Sequence, residues 1–288
     1  MLDEINWVVV AYMVMFLTGF TGILLMLKRF KKKKKKTRPP LDFVFLRAPG
    51  ESLRKEIQRK NDRLYIQLVF AMVVPLAAAY TIIASISIIY PEAPAIFWIP
   101  VVSLNFIGGL SLSYVYLYRS IRGLRNLELG YSGERVVAEK LSPLERDGYR
   151  VFHDIPAASG KTKFNLDHVT VGPTGVTMIE TETRSKGIAR PGFKEHVVTY
   201  DGKKLIWPWG EDDDYIQQVK RQTKWLEDWI HTRTGVRVAV SPILTFPGWW
   251  VEDKGINSQI RVVSHKSICA AVQGKLRQIS NRPTNPPI

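Results

Sequence analysis

The chain predicts an α/β domain, a mixed sheet flanked by helices, preceded by three transmembrane helices. Two observations carry that expectation. Residues 5–27 hold no Asp, Glu, Lys or Arg, and two more uncharged runs follow at about 64–90 and 95–118. Beyond Arg125 the pattern changes to short strand-like runs set between amphipathic, charged helices.

A helix of residues 5–27 is roughly 34 Å long at 1.5 Å per residue, enough to cross the hydrocarbon layer of a bilayer. Asp3 and Glu4 precede it, where a cleavable signal would carry positive charge, so it reads as an uncleaved anchor. The net charge is +15, and residues 28–63 supply much of it, with 15 Lys and Arg against 4 Asp and Glu. Basic segments stay on the cytoplasmic side. That rule places 28–63 inside, the Pro91–Pro94 turn outside, and Arg119, Arg122 and Arg125 inside again. The expected protein is therefore a multi-pass protein of the inner membrane. Its N-terminus faces out, and its C-terminal domain lies in the cytoplasm.

Residues 1–120 form the anchor in this reading, 121–279 the globular domain, and 280–288, with three prolines, a disordered tail. No ionisable residue lies in the middle of a span, which gives a proton or ion pathway no support. Pro75 lies in the second span, and Gly108 and Gly109 in the third, where small residues permit close helix approach. The run Lys31–Lys36 adjoins the first span. Its placement accounts for it as a topology determinant that grips anionic lipid headgroups. The single cysteine, Cys269, cannot close an intramolecular disulfide, in keeping with a reducing compartment.

In the globular part, Val136, Val137, Leu141 and Leu144 have helical spacing across 131–147, with Ser132 as N-cap. Strands are expected at Tyr149–His153, Leu166–Val171 and Val176–Glu182, the last two joined by a turn over 172–175. A helix follows over Tyr215–Thr232, then strands at Val236–Phe246 and Ile260–Val263, and a helix at Ser267–Leu276. His153 and His168 read as structural rather than as metal ligands. Ser159-Gly160-Lys161-Thr162 lacks the glycine that a phosphate loop needs at position 155, which is Ile, so no nucleotide cofactor is expected.

Five ordered stretches then carry a resemblance: GERVVAEKL, VFHDIP, NLDHVTVGPTGVTMIET, QVKRQTKWL and PILTFPGWWVE. Over about 130–270 the chain resembles the nuclease-related domain family, which is similar to the PD-(D/E)xK nucleases. The resemblance implies a restriction-endonuclease-like fold and divalent-metal nuclease activity, and it implies no particular substrate.

A short hairpin turn can bring Asp167, near the start of one strand, beside Glu180, near the end of the next. These two are the expected ligands of Mg²⁺ or Mn²⁺. Residues 180 and 182 share a strand face, but position 182, where the family pattern has lysine, is glutamate. Glu182 can act as a third carboxylate or general base, or it can mark a domain that binds nucleic acid without cutting it. Lys163 or Lys186 is the candidate replacement cation. Gln218 and Gln222, four apart on one helix face, are candidates to orient phosphate or water. Glu134 matches the family's Gly-Glu and either supports the site or merely favours a helix first turn. DNA, membrane lipids and further copies of the chain are the expected partners. Phe246-Pro247-Gly248-Trp249-Trp250 reads as packing at a strand end.

Overall fold

The structure is a computed structural model that describes residues 46–92, 94–255 and 258–275. The expected first span, the lysine run and the 280–288 tail lie outside the described residues. The chain divides into two compact units, one containing 68–115 and the other 46–67 with 116 onward.

Two long helices supply the first unit: α1 (Glu51–Ile89) and α2 (Ala95–Leu141). Among the described residues these are the two helices long and apolar enough to cross a membrane, against the three spans expected. Their apolar side chains point outward, with Leu76, Ile88, Leu104 and Leu112 all exposed. Pro75 lies inside α1, and Gly109 of α2 sits against it; a Cβ at 109 would lie 3.2 Å from the Pro75 ring. Gly108 has no such neighbour.

Helix α2 corrects one expectation. Residues 131–141 do not begin a new helix but complete one that starts at Ala95. Ser132 is no N-cap, because its hydroxyl donates to the Glu128 carbonyl one turn back, at 2.8 Å. Pro143 opens a 3-10 turn over Ser142–Asp147, which Gly148 ends at a φ of 82°.

The second unit is built on a five-stranded sheet ordered β1-β2-β3-β7-β9. Strands β1 (Arg150–Ser159), β2 (Thr162–Gly172) and β3 (Gly175–Thr181) form an antiparallel meander. Gly172 faces Gly175 across a two-residue turn. Strands β7 (Val240–Thr245) and β9 (Arg261–Val263) then add in parallel. The crossover from β3 to β7 includes helix α3 (Asp214–Thr234). Ile216, Val219 and Leu226 of α3 share a core with Val169, Met178 and Leu244. The opposite core joins Ile179, Ile243 and Val263 to Val137 and Leu141 of α2, and to Ile268 and Val272 of α4 (Ile268–Val272). Cores on both faces leave β3 buried without alternation from Val176 to Thr181.

A second sheet, ordered β6-β5-β4-β8, was not foreseen. Its strands are β4 (Val197–Tyr200), β5 (Leu205–Trp207), β6 (Gly210–Asp212) and β8 (Trp250–Asp253). Three or four residues are too few to establish a period, and β4 pairs with β8 some fifty residues away. Trp207 is fully buried, with the rings of Trp209, Phe246 and Trp249 5.1 to 5.7 Å from its own. The Phe246–Trp249 stretch therefore packs, while Trp250 stays exposed.

Candidate active site

The register of the meander positions the acidic residues. His168 pairs with Ile179, where the β2–β3 ladder ends, and one residue further on each strand Asp167 lies near enough to Glu180 to push its pKa up. The Thr181 N–H donates to Asp167 Oδ2 at 2.8 Å and fixes that carboxylate. Glu182 lies just past β3, and its N–H continues the ladder to the Thr245 carbonyl at 3.0 Å.

Glu134 arrives from α2. Gly133 lets that helix approach closely, since a Cβ there would fall 2.1 Å from Thr183 Cγ2. Glu134 is thus a mid-helix residue, and the first-turn alternative fails. Its carboxylate accepts a backbone hydrogen bond from Gly50.

These side chains form one electrostatic group. Burial holds Glu180 well above the usual carboxylate range, and Asp167 and Glu182 push it further. Burial also raises Glu134, with Asp167 and Asp154 adding to it, and raises Asp167 against the pull of the Thr181 N–H. Glu182 is pushed up to about 8 by burial and by Asp167, with Arg184 opposing. Burial disfavours charge, and like charges share the space, so the group retains protons unless a cation enters.

Gln218 and Gln222 both donate to Glu180 Oε1, the latter at 3.3 Å. Gln222 also reaches the Asn165 carbonyl at 3.5 Å. The two amides therefore hold Glu180 rather than reach towards open space. Glu180 Oε2 and Glu134 Oε2 are buried without a hydrogen-bond partner. Buried acceptors without donors suit a cation. Among the described residues no set of three or more His, Cys, Asp or Glu forms a ready metal cage. The fit is instead to a hard ion held by one or two carboxylates and completed by water and phosphate oxygens.

Four further residues, Arg184, Asp212, Asp154 and Arg47, escaped the sequence reading. Arg184 is the cation that acts on Glu182; Lys163 and Lys186, the expected replacements, are exposed and do not act on the cluster. The Arg184 guanidinium pairs with Asp212 at 2.7 Å and lies over the Trp207 and Tyr215 rings, at 4.8 and 5.4 Å. Its signal was present in the alternation 180-182-184. Asp154, on β1 between the pairs His153–His168 and Ile155–Leu166, has a φ of 49°, and Arg47 pairs with it at 2.5 Å. No local pattern marks that contact. The histidines behave as structural groups: His153 and His168 share a hydrogen bond between Nδ1 atoms at 2.8 Å, and His168 is fully buried.

Residues 129–247 match the model of the nuclease-related domain. The match takes in Glu134, the Asp167–Glu182 hairpin and both glutamines. It ends before β8, β9 and α4, short of the 270 expected. The nuclease-related domain thus accounts for the acidic cluster but not for the whole of either sheet. Among solved structures, the chain is similar to Pyrococcus furiosus SfsA in complex with Ca²⁺, at 15% identity and a TM-score of 0.23. That likeness covers 46% of this chain and 53% of the other, so the chain spans about half of the structure it matches. No curated protein matches the sequence.

Proposed function

We propose that the protein is a membrane-anchored nuclease, dependent on Mg²⁺ or Mn²⁺, that hydrolyses DNA phosphodiesters on the cytoplasmic face. The observation that carries this reading is Asp167 near enough to Glu180 to raise it, with a buried Glu180 oxygen left unpartnered. A divalent ion there would neutralise phosphate charge and lower the pKa of a bound water. Gln218 and Gln222 orient Glu180 towards that position, and the Thr181 N–H does the same for Asp167. Glu182, holding its proton up to about pH 8, is the group placed to exchange a proton with a water. The exposed apolar surfaces of α1 and α2 are the anchor, oriented by the basic segments that flank them.

The test is digestion of linear, circular and single-stranded DNA by the full chain in detergent, with and without Mg²⁺. Asp167→Asn and Glu180→Gln should each abolish cleavage while leaving thermal unfolding cooperative. Cleavage that survives both substitutions removes the site assignment.

One observation favours a second reading, in which the domain binds nucleic acid or a protein without cutting. Glu182 replaces the cation expected there, and Arg184 is committed to Asp212 and two aromatic rings. That reading requires an inactive wild type and a gain of cleavage in Glu182→Lys.

A further inference from the structure

Helix α3 continues past the acidic cluster with a second feature. Gln218, Gln222, Trp225, Trp229 and Arg233 follow one another at intervals of four, three, four and four residues. That spacing sets them along one stripe of the helix, at the border of its buried face. The stripe begins at Glu180, which both glutamines contact. Two turns on, roughly 10 Å along the axis, Trp225 and Trp229 stack with centroids 6.2 Å apart and planes 23° apart.

The two tryptophans differ in what holds them. Trp225 is fixed: its Nε1 donates to the Ala158 carbonyl at 2.8 Å, and its ring meets Phe164 edge-on. Trp229 is 46% exposed, and its described ring contacts are Trp225 and the Arg233 guanidinium, 6.0 Å from its centroid. The pair lines an open depression with Asp228, Thr232 and Arg233. Asp228 is paired with Lys224 at 3.3 Å, which offsets its charge. Beside the shelf lies the tip of the β1–β2 hairpin, with exposed Lys161 and Lys163; Lys163 is the cross-strand partner of Ala158.

We infer that this shelf binds the unpaired bases of a single-stranded DNA segment and leads that strand to the acidic cluster. An exposed aromatic ring takes any base by stacking, and the neighbouring Arg233, Lys161 and Lys163 take the phosphates. Bases in a duplex do not present their faces, so the occupant is a single strand or an unpaired end. The inference deepens the nuclease reading by naming its substrate class, and it rests on that reading for where the strand leads.

The experiment uses the full chain in detergent with EDTA, so that nothing is cut, and a fluorescent oligothymidylate followed by anisotropy. Trp229→Ala should weaken binding about tenfold, Trp229→Phe should retain most of it, and both should unfold at the wild-type temperature. An abasic deoxyribose-phosphate strand of equal length separates stacking from charge. It should bind wild type and Trp229→Ala alike. Equal affinity of the two proteins for oligothymidylate overturns the shelf, and so does an equal loss on the abasic strand. The two readings fail separately. A Trp229 effect in a protein that cuts nothing with Mg²⁺ sinks the hydrolase and keeps the shelf, whereas metal-dependent cleavage without a Trp229 effect does the reverse.

Discussion

Asp154 caps helix α1 across more than a hundred residues of sequence. Its Oδ2 accepts the Ser52 N–H at 3.0 Å, its Oδ1 accepts the Ser52 hydroxyl at 2.6 Å, and Arg47 pairs with it. Asn165, two positions before Asp167, donates to the same Ser52 hydroxyl at 2.7 Å. The start of α1 is thereby fastened to the two strands that carry the acidic cluster. Asp154→Ala removes a cap and leaves half-buried donors unpaired, so it should cost ~2 kcal/mol. Ser52→Ala should cost about half as much, since Arg47 still holds Asp154. Denaturant unfolding of each variant measures both, and equal costs would show that Ser52 is the whole of the contact.

Gly133 reverses the usual rule for helix interiors. Alanine in place of a mid-helix glycine ordinarily stabilises by about 1 kcal/mol. Here the added methyl meets Thr183 at 2.1 Å, so Gly133→Ala should destabilise by about 1–3 kcal/mol. Thr183→Ala in the same chain should restore most of the loss. Thermal unfolding of the single and double variants decides whether that close approach is what brings Glu134 to the site.

The acidic cluster makes stability depend on pH in a direction that metal should invert. Glu182 takes its proton near 4.5 when unfolded and near 8 when folded, so between those values the folded state binds more protons. Stability from this group is therefore complete below pH 4.5 and is lost as pH rises to about 8. Glu134, Asp167 and Glu180 shift the same way. In EDTA the unfolding temperature should fall across that window. With Mg²⁺ it should rise instead, because the ion binds the deprotonated group. Glu182→Gln should flatten the decline, and parallel curves with and without Mg²⁺ would argue against an ion at this position.

His168 acts on the acid side. Burial first, and His153 second, lower its folded value from 6.5 to about 3. Between these values the unfolded state binds the extra proton, so stability is full above pH 6.5 and lost as pH falls towards 3. His168→Leu should weaken the native state at pH 7 by breaking the bond to His153, yet flatten the acid decline. Unfolding temperatures from pH 6.5 to 4 are the measurement, compared with those of Glu182→Gln, which removes a group that titrates with the opposite sign.

The acidic hairpin was legible because its parts are local. Alternation sets Glu180 and Glu182 on one face, and a two-residue turn between Gly172 and Gly175 leaves little choice of register for Asp167. Helix α3 was visible through its period, with bounds one residue earlier and two later than expected. The strand expected over Val236–Phe246 shrank to Val240–Thr245, because apolar composition does not reveal where a parallel partner ends. The break expected before Ser132 is absent: serine favours a cap but also bonds one turn back within a helix, and the sequence does not choose between them.

The order of residues by itself determined the uncharged runs, the asymmetry of charge, and the hairpin that brings Asp167 near Glu180. Each of these is a periodic pattern or a contact across a short turn, written within a few neighbouring positions. Tertiary structure alone decided that Asp154 caps α1, that Glu134 joins the cluster through a gap only glycine leaves, and that Arg184 rather than a lysine faces Glu182. It also decided that the α3 stripe ends in an exposed stacked pair. Such contacts join residues far apart in the chain through packing, and packing leaves no period for a sequence to display.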